Sequence, residues 1–293
     1  GDSSSDVLFT AEGAGQSATR SFTDRAGNTA SATVGNINID KTPPTIATSR
    51  TPGPNANGWN NSNVTVSFTC ADGLSGIATC SGPTTRTAEG ANPAVTGTAI
   101  DKAGNSASAT VGDINIDKTP PTITGARTPG ANAYGWNKTD VTVSFTCADD
   151  RSGIDTCGPS PQVVSTEGLG QSRTGTALDR AGNSASATVG NINIDKTPPA
   201  ITTSRTPVPN ANGWNNTDVK QVRFEATDGL AGVVGDSFFD VFFTAEGAGQ
   251  SATHSFTDRA GNTASATVGN INIDKTPPVV TINSPQARDY LTS

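Results

Sequence analysis

Hydrophobic and polar residues alternate in short stretches along this chain. The clearest stretch, 64–71, reads Val-Thr-Val-Ser-Phe-Thr-Cys-Ala and places its apolar side chains at every second position. A period of two predicts a β-strand with one buried face. The stretch 141–148 repeats this pattern, whereas 219–224 contains one residue more, which predicts a β-bulge. Because similar Val, Ile, Phe and Thr runs end at Gly, Pro, Asn or Asp throughout, we predict an all-β fold.

The phrase Asp-Arg/Lys-Ala-Gly-Asn occurs four times and marks the chain as a tandem array. Its first residues are Asp24, Asp101, Asp179 and Asp258, at intervals of 77, 78 and 79 residues. Periods of this length correspond to whole small domains rather than to solenoid turns. In each copy the phrase separates two strand-like stretches, where Asp can cap a turn and Gly can adopt positive φ. The phrase therefore predicts a β-hairpin.

The repeat spacing divides the chain into five segments. Residues 1–41 match the second half of a repeat, and three complete repeats follow at 42–118, 119–196 and 197–275. Residues 276–293 contain only the first strand of a further repeat, so we expect both ends to be incomplete domains. Roughly seven short strands in about 78 residues predict a two-sheet sandwich of immunoglobulin type.

Composition and charge exclude several classes of partner. The chain has 32 Gly, 18 Pro, no Met and a net charge of −7, and its basic residues form no cluster. Nucleic acids and anionic membranes require concentrated positive charge, so we expect neither as a partner. No apolar run approaches the ~18 residues of a membrane-spanning helix, and no signal segment opens the chain. We therefore predict no membrane insertion.

Four cysteines lie in two pairs with the same spacing, and the third complete repeat has other residues at both positions. Four cysteines allow three connectivities, of which the local pairs Cys70–Cys80 and Cys147–Cys157 are the simplest. Such disulfides would close short loops and indicate an oxidising environment. Because His254 is the sole histidine and no ligands are closely paired, the sequence argues against zinc.

Four motifs recur in a fixed order within the repeats: Gly-Trp-Asn, an Asp-Gly-Leu-Ser-Gly loop, the Asp-Lys-Ala-Gly-Asn hairpin and an Ile-Asp-Lys-Thr-Pro-Pro junction. Together they resemble the bacterial immunoglobulin-like repeats of large secreted and cell-surface, adhesin-type proteins. The resemblance covers nearly the whole chain. It implies tandem immunoglobulin-like β-sandwich domains in a linear array, a stalk role outside the cell, and calcium at the junctions between repeats.

Acidic residues recur at two positions of the repeat, and the resemblance makes them candidate calcium ligands. Calcium takes about six to eight oxygen ligands, which carboxylates and carbonyl groups at a domain junction can supply. Alternatively, these residues are ordinary turn formers that hydrogen-bond their own backbone. The candidates are the loop residues Asp72, Asp149 and Asp228 and the junction residues Asp40, Asp117, Asp195 and Asp274.

Each complete repeat has one tryptophan between Gly and Asn, ahead of a core strand: Trp59, Trp136 and Trp214. We predict that each closes the open end of its sandwich by burying a large apolar area. A platform for sugar rings would need neighbouring polar groups that orient a ligand, so it is the weaker interpretation.

The sequence favours a non-enzymatic protein. It has no nucleophile elbow, no second histidine and no phosphate-cradling loop ahead of a helix. An enzyme would place its site once, whereas the acidic residues here recur in every repeat. A recurring glutamate that we expect to be structural occurs at Glu12, Glu89, Glu167 and Glu246.

We therefore expect a stalk or spacer segment of an extracellular or cell-surface, adhesin-like protein. Its partners would be neighbouring repeats or identical chains, with any cell-surface or matrix ligand held by regions outside this segment. Two alternatives remain. Incomplete terminal domains, including a donor strand at Val279–Asn283, could complete one another between chains and form an extracellular fibre. The chain could also be the accessory binding region of a secreted enzyme.

Overall fold

The computed structural model describes residues 5–281 and residue 283 of the chain, and within them all regular structure is β. This confirms the all-β prediction and the tandem arrangement, because matching strands recur at the predicted spacing. The immunoglobulin type of sandwich stays a prediction. No helix in the described part is long and apolar enough to span a membrane.

The strands recur in a similar but not identical order, with nine in the described part of the first complete repeat and six in each of the other two. Residues 1–41 contain β1 (Gly13–Thr23) and β2 (Thr29–Ile39). The first complete repeat contains β3 (Thr45–Thr51), β4 (Trp59–Asn60), β5 (Val64–Ala71), β6 (Ile77–Cys80), β7 (Thr84–Arg86), β8 (Gly90–Asn92), β9 (Val95–Asp101), β10 (Ser106–Val111) and β11 (Ile114–Ile116). The second contains β12 (Thr122–Thr128), β13 (Val141–Ala148), β14 (Ile154–Gly158), β15 (Gln162–Val164), β16 (Gly168–Asp179) and β17 (Ser184–Ile194). The third contains β18 (Ala200–Thr206), β19 (Trp214–Asn215), β20 (Val219–Thr227), β21 (Phe238–Phe243), β22 (Gly247–Thr257) and β23 (Thr263–Ile273).

Short sheets, in which most pairings are antiparallel, build each repeat. In the first complete repeat the sheet orders are β3-β5-β7, β10-β9-β6 and β4-β11-β8. In the second they are β12-β13-β15 and β14-β16-β17, and in the third β18-β20-β21 and β19-β23-β22. The half-repeat 1–41 has only the pair β1-β2. One pairing is parallel in the first and third repeats, where the short strand that begins at tryptophan runs beside the last strand.

The alternating stretches form the core, as their period requires. In the first complete repeat Val64, Val66, Val95, Ile114 and Ile116 are buried together. The third repeat has a matching cluster built around the fully buried Phe224. Along β20 the pairing with β21 shifts register between Val219 and Val222, which confirms the predicted bulge.

The local disulfides Cys70–Cys80 and Cys147–Cys157 are formed, as predicted. Both repeats that have a disulfide also have a core glycine, Gly97 or Gly175, against which a phenylalanine packs. A Cβ at Gly175 would lie 2.5 Å from the ring of Phe145. Since real Cβ atoms do not approach a ring that closely, only glycine suits this position.

The third repeat replaces this arrangement with an aromatic cluster. His254 stands where the other repeats have the core glycine. Its ring stacks on Phe239 at 4.0 Å between centroids and meets Phe256 edge-on at 4.7 Å. Beside it Arg223 donates two hydrogen bonds to Asp240. The third repeat has no disulfide. Aromatic contacts and the Arg223–Asp240 ion pair stabilise the packing of strands β20 and β21 instead.

The chain forms two compact units. One comprises residues 1–124, 145–159 and 175–187, and the other comprises 125–144, 160–174 and 188–293. The second complete repeat contributes to both, so the five-segment division by sequence spacing stays a prediction. Residues 276–281 and 283 contain no strand. The donor strand predicted at Val279–Asn283 also includes Ile282, which lies outside the described residues, as do residues 284–293.

Candidate functional site: carboxylate clusters at the repeat junctions

The hairpin aspartate is held by its own turn. Asp101 Oδ1 accepts a hydrogen bond from the backbone N–H of Asn105 at 2.9 Å, and Oδ2 accepts one from the Asn105 side chain at 2.8 Å. Gly104 has φ of +98°, as the turn requires. The predicted role of the Asp-Lys-Ala-Gly-Asn phrase as a capped hairpin is therefore confirmed.

The loop aspartate also caps a turn. Asp72 Oδ1 accepts a hydrogen bond from the backbone N–H of Gly76 at 2.6 Å and another from Leu74 at 3.2 Å. Asp149 and Asp228 make the matching bonds. The turn-forming interpretation of these residues is thus correct, and these bonds all go to one carboxylate oxygen, Oδ1, of each residue.

The junction aspartate reaches across to the loop of the following repeat. Asp40 Oδ2 accepts a hydrogen bond from Ser75 N at 2.9 Å, while the Asn105 side chain donates to the Asp40 carbonyl at 3.1 Å. As a result junction, loop and hairpin carboxylates converge, with one oxygen of each within 4.8 Å of the others. The described residues hold three such clusters: Asp40, Asp72 and Asp101 (first cluster); Asp117, Asp149 and Asp179 (second cluster); and Asp195, Asp228 and Asp258 (third cluster).

Six of the seven predicted acidic residues belong to these clusters. The seventh, Asp274, is in no cluster of the described residues. Sequence analysis missed the third member of each cluster, the hairpin residues Asp101, Asp179 and Asp258. The sequence explained these residues as turn caps. No feature of the local sequence indicated a second role as members of a carboxylate cluster. In the second and third clusters the junction and hairpin carboxylates are almost completely buried.

Burial and like charge act on the third cluster. Burial raises the pKa of Asp195, and the neighbouring Asp228 and Asp258 raise it further, against hydrogen bonds from Ala231 and Thr197 that lower it. A buried carboxyl beside two others favours its neutral form. At Asp40 the balance is opposite, because hydrogen bonds from Ser75 lower its pKa. A bound cation would offset the repulsion that raises the pKa of Asp195.

The raised pKa of Asp195 predicts a pH dependence in calcium-free buffer. The folded state binds this proton more tightly than the unfolded state does, so stability falls as pH rises from the ordinary value of 3.8 through the raised value. We expect hydrogen exchange at the Ala231 amide, which is bonded to Asp195, to accelerate across that window beyond its intrinsic pH dependence. Asp195→Asn should abolish the excess. Exchange that follows only the intrinsic dependence in the wild-type chain would contradict the prediction.

Three buried asparagines, one in each complete repeat, have an unsatisfied side-chain oxygen. Asn60, Asn137 and Asn215 are buried, and the side-chain Oδ1 of each has no hydrogen-bond partner within the described residues. The Asn60 carbonyl accepts a hydrogen bond from the backbone N–H of Asp117, and the Asn137 carbonyl accepts one from Asp195. Each of these two asparagines thus neighbours a cluster aspartate. A buried oxygen without a donor is costly unless a water or cation contacts it.

The recurring glutamate accepts hydrogen bonds from the Lys-Thr pair that follows the junction aspartate. Glu89 accepts hydrogen bonds from the Lys118 backbone N–H at 2.8 Å and from the Thr119 hydroxyl at 3.1 Å. Glu12, Glu167 and Glu246 bond the matching Lys and Thr residues. This confirms that the glutamate is structural. It orients the residues that directly follow each junction aspartate.

A tryptophan turn lies beside the third cluster. Trp136 is buried against Ala231 and Ala260, with Leu230 packed on the same cluster. These three residues belong to the following repeat. Sequence analysis had predicted only that each tryptophan closes its own sandwich, so it missed this packing of Trp136 against the next repeat. Asn132 Oδ1 accepts a hydrogen bond from Trp136 N, and its amide donates to the Arg259 carbonyl at 2.7 Å.

Comparison with known proteins identifies one relative. No family model matches the sequence. The chain is 32% identical over 294 residues to hyalin of Strongylocentrotus purpuratus, an alignment that covers 91% of the chain and 24% of hyalin. The chain thus spans about a quarter of the length of the curated relative it matches. The two disulfides form in oxidising compartments, and they fit the extracellular location that the sequence predicts.

Solved structures of two adhesion proteins and of a protocadherin align with most of this chain at low identity. A Ca²⁺-stabilised adhesin that helps an Antarctic bacterium bind ice is 18% identical with a TM-score of 0.33, over 88% of this chain and 81% of that one. The tetra-tandem repeat in the extending region of a large adhesion protein is 19% identical with a TM-score of 0.27, over 89% and 81%. Cadherin repeats of protocadherin gammaB7 are 15% identical with a TM-score of 0.29, over 88% and 85%. No ligand of this chain follows from likenesses so distant.

Proposed function

We propose that this chain is a non-enzymatic spacer of an extracellular protein, and that Ca²⁺ at the carboxylate clusters joins one repeat to the next. The observation that carries the proposal is the convergence of three carboxylates from two repeats, which recurs at three successive junctions. A junction that recurs at every repeat suits a mechanical role, whereas an enzyme concentrates its chemistry in one site.

The chemistry of the donor set favours calcium. Carboxylate and carbonyl oxygens are hard ligands, which Ca²⁺ and Mg²⁺ prefer, and Ca²⁺ tolerates irregular geometry. The three carboxylates of a cluster would hold the ion. Such an ion supplies positive charge that offsets the repulsion among the three carboxylates. Water completes the coordination that protein atoms leave open.

Calcium should therefore stabilise the junctions. A ligand that binds only the folded form at about 100 times its Kd adds about 2.7 kcal/mol. We expect calorimetric titration of the full chain to show Ca²⁺ binding, and hydrogen exchange at the Ser152 and Ala231 amides to slow at least about tenfold in Ca²⁺ relative to chelator. Both amides donate to a junction aspartate.

A matched pair of variants locates the effect. Asp179→Asn keeps an oxygen that can cap the hairpin but removes one carboxylate of the second cluster, so calcium should no longer protect Ser152 while Ala231 stays protected. Asp274→Asn alters a junction aspartate outside the described clusters and should change neither. Equal exchange in Ca²⁺ and chelator at both amides of the wild-type chain would refute calcium-linked junctions.

Two other functions were considered from the sequence, a fibre built from identical chains and an accessory region of a secreted enzyme. No specific observation on the described residues favours either of them over the spacer.

A further inference from the structure

One strand of the third repeat presents an aromatic edge. Strand β21 lies at the end of the sheet β18-β20-β21 and, within the described residues, pairs only with β20. Its sequence is Phe-Phe-Asp-Val-Phe-Phe, and Phe238, Phe239 and Phe242 are 50%, 42% and 65% exposed. An edge strand with exposed apolar side chains is a template for pairing with another strand.

The aromatic residues of this edge are particular to the third repeat. The matching strands β7 and β15 have three residues each and contain no aromatic side chain. The sequence of 1–44 closely matches that of 235–278, yet it has serine, serine and leucine where the third repeat has Phe238, Phe239 and Phe242. The fold of a repeat therefore does not require phenylalanine at these positions.

Neighbouring repeats do not cover this edge. Val163 of β15, at the position that matches Phe242, is 54% exposed although its repeat has another repeat on both sides. Thr85 of β7 holds the same position in the first complete repeat and is exposed as well. The edge of a repeat is therefore open within the array, and in the third repeat it is open and aromatic.

The polar groups on the outer face of this sheet already have partners. Arg223 and Gln221 both donate hydrogen bonds to the Asp240 carboxylate. The Arg223 guanidinium also lies 4.7 Å from the centre of the Phe238 ring. Since these groups are occupied, a sugar or another small polar ligand finds few groups to bind. The edge offers instead its apolar side chains and its outer backbone groups.

Hydrogen bonding in β21 leaves alternate backbone groups at the open edge. Ser237 accepts a hydrogen bond from the Ala226 N–H, and the register places β20 bonds at the odd-numbered residues of β21. The backbone N–H and C=O groups of the even-numbered residues, Phe238, Asp240 and Phe242, therefore point away from β20. A further antiparallel strand could pair with them.

We propose that two copies of this chain pair through β21, antiparallel and about a two-fold axis centred on Asp240. Residues directly opposite each other in such a pair lie on the same face of the sheet. Because the outer face of β21 carries Phe238, Asp240 and Phe242 in that order, this register sets Phe238 of each copy opposite Phe242 of the other. The two Asp240 carboxylates face each other, and each is neutralised by Arg223 of its own chain. The edge is thus complementary to itself.

The resulting dimer is closed. A two-fold pair uses the same edge of both copies, so it ends at two chains and builds no fibre. No residue of the carboxylate clusters lies on β21, so the pairing needs no calcium. Three partly exposed phenylalanines per copy make a small interface, for which we expect a dissociation constant on the order of 0.1 mM. The dimer would add lateral association of two chains to the spacer role.

Sedimentation velocity of the full chain, from micromolar to millimolar concentration, tests the proposal. We expect the mass to rise from one chain to two and no further. Hydrogen exchange at the Phe238 and Asp240 amides should slow at the higher concentration, because these outward N–H groups become bonded to the second copy. A mass that stays at one chain at millimolar concentration, or that rises past two, would overturn the proposal.

A matched pair of variants locates the contact. Phe238→Ser combined with Phe242→Leu introduces the residues that 1–41 has at these positions, and since both side chains are exposed the variant should fold normally, as circular dichroism would verify. It should dimerise at least about tenfold more weakly, because the cross-strand aromatic pairs are lost. Val163→Ser removes an exposed apolar side chain from the matching edge of the second repeat and should dimerise like wild type. Equal dimerisation of the two variants means that the chains do not pair through β21.

Discussion

Replacing Trp136 by alanine is expected to destabilise the contact with the third repeat by about 3 kcal/mol, since truncation of a buried tryptophan leaves a cavity that the neighbours fill only in part. Leu230 and Ala260 should lose protection first, because their apolar cover is removed. Hydrogen exchange followed residue by residue measures this directly, and it avoids assigning one unfolding free energy to a multidomain chain.

Trp214 provides the matched control for this experiment. It has the same position in the third repeat, but its side chain is 37% exposed. Trp214→Ala should therefore cost about 1 kcal/mol or less. If the two alanine variants destabilise the chain equally, the tryptophans stabilise only their own repeats, and the contact of Trp136 with Leu230 and Ala260 contributes nothing measurable.

Phe224→Ala is the second substitution with a large expected effect, about 3–5 kcal/mol, because the side chain is fully buried. The third repeat has no disulfide to restrict its unfolded state, so this loss should unfold it selectively. Circular dichroism would show a separate transition at lower temperature or denaturant concentration. Disulfides Cys70–Cys80 and Cys147–Cys157 should keep the other complete repeats folded.

Phe242→Ala is the control for Phe224→Ala. Phe242 lies on the neighbouring strand β21 and is 65% exposed, so its truncation should change stability by less than about 0.5 kcal/mol. A large effect of Phe242→Ala would mean that the exposed aromatic face of β21 is covered by another part of the protein in solution. A small effect of Phe224→Ala would contradict the central place of Phe224 in the core.

Local features of the fold could be predicted from the sequence. The strands, the hairpin capped by Asp101, the bulge after Val219 and both disulfides each depend on residues close together in the chain. Local hydrogen bonding, side-chain alternation and short loops determine such features. The junction and loop aspartates were recognised because they recur in the repeats and because the resemblance to adhesin-type repeats implies calcium at the junctions.

The remaining features of the site depend on contacts between distant residues. Asp258 joins the third cluster from a hairpin far along the chain from Asp195, and its turn already explained the residue. Trp136 and Ala260 are also far apart in the chain, so no local pattern predicts their contact. One signal could have pointed to this contact. The hairpin alanine is the same in all four copies, although a turn residue facing water has no need of a small apolar side chain.

The junctions also bear on how such a chain changes length. Every component of a junction occupies the same position in each repeat, including the glutamate, the three aspartates and the tryptophan turn. One repeat can therefore follow any other without a new interface. Near-identity of Phe9–Pro44 and Phe243–Pro278 indicates that repeats have been duplicated within this chain. Gain or loss of whole repeats by this route would preserve every junction, so copy number can vary while the chemistry at each boundary stays constant.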